Sequence, residues 1–389
     1  MNELSSQIEN AVLILSKKII EDNFRGYDPY DGLSSPIFSL PILKSNKLLR
    51  FGFQQIFRRI PINIRPLLGI KKEINPVTLG LCIQAFTYMS QIFTQNRQFY
   101  KVQIDNCLNG LVELKSSGYS GACWGYNFDW EARYAKIPAY FPTIVATGII
   151  VNGLYEYYKF SRDLNVKSII LDSTNFVLND LNRTIDGEDF CFSYSPSDKQ
   201  VVFNATMKAA RLLSQAYDIS NDESYRTAAK RTVNFVMKHQ SNEGYWVYSS
   251  NDDRAWIDNF HTAYVLDSLS SYINLTGDEE YMQGLKIGIN FYKNTFFTPE
   301  FIPKYYSNKI FPIDSTAVAQ SIITLLLFND RSQAKNIIKW ALENMINRDG
   351  SIVYRKHRFM RNNINYIRWS NAWFFLALSI FLIKTQKPL

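Results

Sequence analysis

NEGYWVYSSNDDRAWIDNFHTAYVLDSLSSYINL, residues 242–275, holds the unit that decides the fold: an aromatic-rich loop, a small-residue turn and a long apolar helix. Four other segments share the plan. Their loops are GYSGACWGYNFDW (118–130), DGEDFCFSYSPSD (186–198), PEFIPKYYSNK (299–309) and RDGSIVYRKHR (348–358). The helices begin at FPTIVA (141–146), VVFNA (201–205), FHTA (260–263), DSTA (314–317) and WSNA (369–372). Their recurring alanines, Ala146, Ala205, Ala263, Ala317 and Ala372, are 59, 58, 54 and 55 residues apart. NPVTLGLCIQAF (75–86) is a sixth, weaker copy with Gly80 in the alanine's place. A steady interval of this kind marks a repeat architecture.

Each copy continues through a polar turn into a second helix. The second starts are NRQFYKV (96–102), SRDLNVKS (161–168), SNDESYRTAAK (220–230), TGDEEYMQGLK (276–286) and NDRSQAKN (329–336). Asn, Ser, Thr and Asp there supply side-chain oxygens for the free amides of a first helical turn. The first helix of each pair is apolar nearly all round and must be enclosed, whereas the second is amphipathic and covers it. Six inner and six outer helices describe an all-α (α/α)6 toroid with short β-hairpin loops at one end. The ring spans 75–389. Residues 1–74 are N-terminal helices and a basic extension packing on it, one of them expected beside the last inner helix.

The 389 residues carry 43 Lys+Arg and 35 Asp+Glu, a net of +8, but the excess is local. Residues 44–72 hold eight basic side chains and 355–368 hold five, with no acidic residue in either stretch. Two patches point to local attraction for something anionic and not to nucleic acid. The first, RFGFQQIFRRIPINIRPLLGIKK, mixes Phe, Ile and Leu with arginine, which suits an anionic membrane surface; a strap around the ring is the plainer reading. No uninterrupted apolar run reaches the roughly 18 residues of a membrane span, Trp373–Ile383 coming nearest. The acidic N-terminus does not look like an export signal, so a cytoplasmic protein is expected, with a peripheral placement at the inner membrane face left open. Cys82, Cys107, Cys123 and Cys191 lack metal-site spacing, and no metal or cofactor is expected.

The loops entering the inner helices meet at one end, where helix amides point outward. Acid–base candidates there are Asp129 and Glu131 in FDWEARY, Asp258, His261, Asp314 and Tyr248. Binding candidates are Trp124, Tyr126, Trp130, Arg133, Trp246, Tyr306, Arg355, His357, Arg368 and Trp369. Aromatic faces stack on the apolar faces of sugars, and guanidinium forks hold uronates. Capping alone also accounts for Asp258 and Asp314, and inward packing in a hairpin for Trp246 and Tyr248.

The hairpin-and-apolar-helix repeat resembles the six-hairpin glycosidase-like and terpenoid-cyclase-like superfamilies over roughly 75–385. PINIRPLLGIKKEINPVTLGL (61–81) with CWGYNFDW (123–130) resembles a bacterial family encoded in surface-polysaccharide loci. The resemblance implies an enzyme on an acidic glycan or its lipid-linked precursor. Sugar 2-epimerases of this shape use paired histidines, for which His261 and His357 stand; unsaturated-uronide hydrolases use two aspartates, for which Asp129 with Asp258 or Asp314 would serve. Hydrolysis, elimination and epimerisation all stay open, as do a prenyl- or terpenoid-handling enzyme and a non-catalytic glycan-binding scaffold. Against the terpenoid reading, NDDRAW (251–256) and DSTA (314–317) only echo the cyclase acid motif.

Overall fold

The computed structural model describes residues 3–386. It contains fourteen α-helices among the described residues: α1 (Glu3–Glu21), α2 (Pro41–Ser45), α3 (Lys47–Phe57), α4 (Pro76–Ile92), α5 (Arg97–Glu113), α6 (Ile144–Ser161), α7 (Leu164–Asn175), α8 (Phe203–Ser220), α9 (Glu223–Met237), α10 (Asn259–Thr276), α11 (Met282–Thr295), α12 (Ser315–Leu327), α13 (Arg331–Asn344) and α14 (Ala372–Gln386). The even-numbered helices from α4 onward are the inner ones. Each packs on the next, and α14 returns to α4, closing a ring of six. The outer helices α5, α7, α9, α11 and α13 each cover the inner helix they follow, and α1 covers α14 from the other end of the chain. This is the (α/α)6 toroid that the repeat implies.

Local chemistry sets the helix ends. Asn75, Thr143, Asp258 and Asp314 accept backbone N–H groups at the starts of α4, α6, α10 and α12, and Asp163, Asp222 and Asp330 cap α7, α9 and α13. Such caps satisfy amides that have no partner within the helix. Three inner helices stop at left-handed residues, with Arg162, Asn221 and Gly277 ending α6, α8 and α10. All five repeat alanines are fully buried. A five-residue π-turn, Ile367–Asn371, leads directly into α14. Ile367–Thr385 is therefore longer than the sequence run suggests, and long and apolar enough to span a bilayer; 89% of its apolar window is nevertheless buried in the ring.

Short strand pairs occupy the connections from outer to inner helices. Trp130–Glu131 pairs with Lys136–Ile137, Arg183–Asp186 with Asp189–Phe192, and Val201–Val202 with Ser249–Ser250. Arg355–Lys356 lies between Ile313–Asp314 and Arg361–Asn362. The strand Glu73–Ile74 pairs with Arg25–Gly26.

Residues 22–72 form a strap fastened to this end of the ring by buried ion pairs. Arg368 grips Asp28 at 2.6 and 2.9 Å, while Arg65 Nε donates to Asp31 at 2.8 Å within the strap itself. Arg50 donates to Asp129 and Glu131, each at 3.0 Å. Two of the eight basic residues of 44–72, Arg50 and Arg65, are thus interior.

The sixth copy has glycine because α4 and α6 touch backbone to backbone. A Cβ on Gly153 would lie 2.1 Å from the Gly80 carbonyl oxygen, and one on Gly80 would lie 2.7 Å from Ile150 Cα. Gly153→Ala is expected to cost about 1–3 kcal/mol as an overpacking change. Gly52→Ala in α3, where a Cβ meets nothing within 4 Å, should be neutral or stabilising by up to about 1 kcal/mol. Urea denaturation of both variants checks the pair.

Candidate active site

The strand-rich end of the ring encloses a cavity of about 400 Å³. Its floor is built from the first turns of inner helices: Val145 and Ile149 of α6, Asn204 of α8, Phe260, His261 and Tyr264 of α10, Thr316 of α12 and Trp373 of α14. The connecting loops supply the walls, including Tyr126, Trp130, Tyr194, Tyr248, Trp256, Tyr305, Tyr306 and Trp369. The strap contributes Tyr30, Phe51, Gln55, Arg58 and Arg59. The walls are largely aromatic. Tyr248 and Trp256 stack at 4.7 Å with planes 20° apart, and Tyr30 lies 5.4 Å from Trp369.

Asp258 and His261 form a hydrogen-bonded pair in the floor. Asp258 Oδ1 caps α10 by accepting the His261 amide at 3.0 Å. Its Oδ2 meets His261 Nδ1 at 2.6 Å and accepts Trp256 Nε1–H at 3.1 Å. A carboxylate only accepts, so Nδ1 carries the proton and Nε2 is the ring nitrogen left for other chemistry. Asp258 is almost fully buried, while His261 keeps 23% of its side-chain surface. The cap therefore also fixes an imidazole that lines the cavity.

Other expected acid–base groups are engaged elsewhere. Asp314 is completely buried, with Thr316 N–H, Arg355 Nε and Trp369 Nε1 all donating to it. It caps α12 and does not line the cavity. Asp129 accepts from Arg50 and from the Ala139 amide and lies outside the cavity wall. Glu131 does line the cavity but is buried and held by Arg50 Nε. Tyr248 lines the cavity, and burial raises its hydroxyl above the ordinary phenol range.

The binding candidates divide in the same way. Tyr126, Trp130, Tyr306, Arg368, Trp369 and the rim residue Arg133 line the cavity. Arg368 and Arg133 arrive with carboxylates of their own, Asp28 and Asp253. Trp124 and Trp246 do not line it; they are buried, donating Nε1–H to the carbonyls of Leu111 and Val236. Arg355 is spent on Asp314 and lies over the Tyr354 ring. His357 stands in the Arg355–Asn362 hairpin, its amide bonded to Met360 O, so His261 is the one histidine lining the cavity among the described residues. The paired-histidine arrangement is absent from the cavity. Sequence reasoning missed Asn204, Tyr264, Trp373 and the strap residues. The first three sit in helix starts that already carried the repeat signal, but the strap lies outside the repeat.

No protein-family profile and no curated protein sequence matches the chain. Solved structures do. A cellobiose 2-epimerase from Bacillus thermoamylovorans superposes with a TM-score of 0.63 at 11% identity, covering 80% of this chain and 88% of that one. A GH76 α-mannanase from Bacteroides thetaiotaomicron gives 0.57 at 13%, covering 79% and 86%. An unsaturated glucuronyl hydrolase specific for heparin gives 0.62 at 13%, covering 99% and 98%. The fold is that of the (α/α)6 sugar enzymes. At these identities the likeness establishes the fold, and the chemistry must come from the cavity.

Arg50 holds both carboxylates of the 129–131 strand, so Arg50→Ala strands Glu131 as a buried unpaired charge. Stability is expected to fall by about 3–5 kcal/mol in a denaturant titration. A loss under 1 kcal/mol would show that the clamp carries no weight.

Proposed function

We propose that the protein is a carbohydrate-active enzyme that moves a proton at a sugar carbon through the Asp258–His261 pair. Its substrate is an acidic bacterial surface polysaccharide or the lipid-linked precursor of one, met in the cytoplasm at the membrane face. The observation that carries the reading is an imidazole oriented by a buried carboxylate in the floor of an aromatic cavity. Asp258 orients the ring and stabilises its protonated form; Nε2 takes or returns the proton. Epimerisation and β-elimination both begin by removing a proton next to a carbonyl or carboxylate. Glycoside hydrolysis calls for two carboxyl groups flanking the bond. Here the cavity's carboxylates are Glu131, clamped by Arg50, and Asp258, occupied by His261 and Trp256. That assignment favours proton abstraction over hydrolysis. The likeness of the fold to sugar epimerases and glycosidases and the resemblance of 61–81 and 123–130 support the glycan context.

Incubation with uronate-containing oligosaccharides in D2O, followed by NMR, tests the chemistry. Deuterium is expected to enter at a ring carbon. His261→Ala should lower the rate by about 10²–10⁴-fold, the usual contribution of a positioned acid–base group. Release of reducing ends with no exchange would replace this reading with hydrolysis.

The outer surface supports contact with an anionic membrane. Leu48 and Leu67 are 82% and 87% exposed on the strap, and Ile42, Ile56 and Ile62 are exposed as well. Phe359, 88% exposed at the tip of the Arg355–Asn362 hairpin, adjoins them, because Asn362 Nδ2 donates to Ile60 O at 3.3 Å. Lys44, Lys47, Lys71, Arg358 and Arg361 are exposed among them. Apolar side chains ringed by cations match a bilayer of anionic lipid. The protein should co-sediment with phosphatidylglycerol vesicles and not with phosphatidylcholine alone. Each Lys→Gln change should weaken binding about 5-fold, from roughly 1 kcal/mol per charge near the surface. Equal binding to both lipids would rule out an electrostatic contact.

A further inference from the structure

We infer that Arg58, with Arg59 beside it, forms an oxyanion subsite that holds the negatively charged group of the substrate. The inference rests on the cavity being a glycan site and adds which residues read the substrate's charge. Five arginines line the cavity. Three are neutralised within the protein: Arg368 by Asp28, Arg254 by Asp252 and Arg133 by Asp253. Arg58 and Arg59, at the C-terminal end of α3, form no ion pair among the described residues. Arg58 Nη1 donates to the Tyr30 hydroxyl at 2.9 Å, and its Nε is buried with no acceptor at all. Arg59 Nη1 reaches only the Gln55 carbonyl at 2.6 Å and the Gln55 amide oxygen at 3.5 Å.

The surroundings of Arg58 make the missing acceptor informative. The largest electrostatic influences on it come from the phenols of Tyr30, Tyr354 and Tyr305 and from a second guanidinium, Arg355. The Tyr354 hydroxyl is also buried without a partner. The partial negative charge at the end of α3 offsets only a fraction of one cation. A buried donor left without an acceptor costs stability, more so when it is charged. A guanidinium edge meets a planar carboxylate or a phosphate in two parallel hydrogen bonds, which an incoming ligand can supply. The same chemistry serves a uronate carboxylate and a sugar phosphate.

Four tryptophans, Trp130, Trp256, Trp369 and Trp373, line the cavity, so ligand binding can be read by fluorescence quenching. Three probes separate the cases: a glucuronate-containing disaccharide, its carboxyl-reduced neutral counterpart, and glucose 1-phosphate. The wild-type protein is expected to bind at least one charged probe 10-fold or more tightly than the neutral one, and the tighter of the two identifies carboxylate or phosphate. Arg58→Gln should shrink that preference to about 2-fold by weakening the charged probe far more than the neutral one, and Arg58→Lys should restore part of it. Near-UV circular dichroism confirms that both variants keep their packing. Equal affinity for charged and neutral probes, or Arg58→Gln weakening all probes alike, would overturn the subsite and leave the glycan reading standing. Failure of every sugar to bind would sink both.

Discussion

Helix α14 has no polar face to present to water, so it must be enclosed on every side. α12 and α4 flank it, and α1, from the opposite end of the chain, covers the outside. That enclosure closes the ring. Once closed, six inner helices begin at the same end, and their first turns cannot pack on one another as tightly as their middles do. Farther along, α4 and α6 are drawn together by the Gly80–Gly153 contact. The mouth is left open for longer loops to roof. The cavity is thus a consequence of ring closure, and its aromatic walls are the loops' way of burying themselves.

The ring was legible because its signal is periodic. Alanines at nearly constant spacing and helices apolar on all sides are properties of single positions, readable without partners. Chemical roles are properties of pairs. Asp258 and Asp314 look alike in sequence, each an aspartate capping an inner helix. They differ in what stands opposite: Asp314 meets Arg355, whereas Asp258 meets an imidazole lining the cavity. Nothing local in NDDRAWID or FPIDSTA tells these apart. His357 looked like a partner for His261 for the same reason, and hairpin geometry keeps it out of the cavity.

Charge is only partly readable from the chain alone. A stretch of eight cations and no acid invites an external, anionic partner. Folding first spends two of those cations inward: Arg65 on Asp31, and Arg50 on Asp129 and Glu131. Asp129 and Glu131 lie far away in sequence and Asp31 is met only when the strap folds on itself, so the compensation is invisible in the linear chain. The strap also adds a wall to the cavity, through Tyr30, Phe51, Gln55, Arg58 and Arg59. One segment therefore fastens the mouth, lines the cavity and keeps a greasy basic exterior.

The same fastening limits the chemistry. An ion pair buried this deeply is expensive to break, because each freed charge loses its partner without regaining water. Glu131 cannot act as a free carboxylate while Arg50 holds it, and releasing it would also loosen Asp129 and the strap. The ring nitrogen of His261 carries no comparable burden, since Asp258 already satisfies its other nitrogen and the cap fixes its position. Where one proton carrier is poised and the nearby carboxylates are committed, a reaction with a single proton-transfer site is favoured over one that needs two opposed carboxyl groups. The ion pairs that make the cavity stable are thus the same ones that tie up its carboxylates.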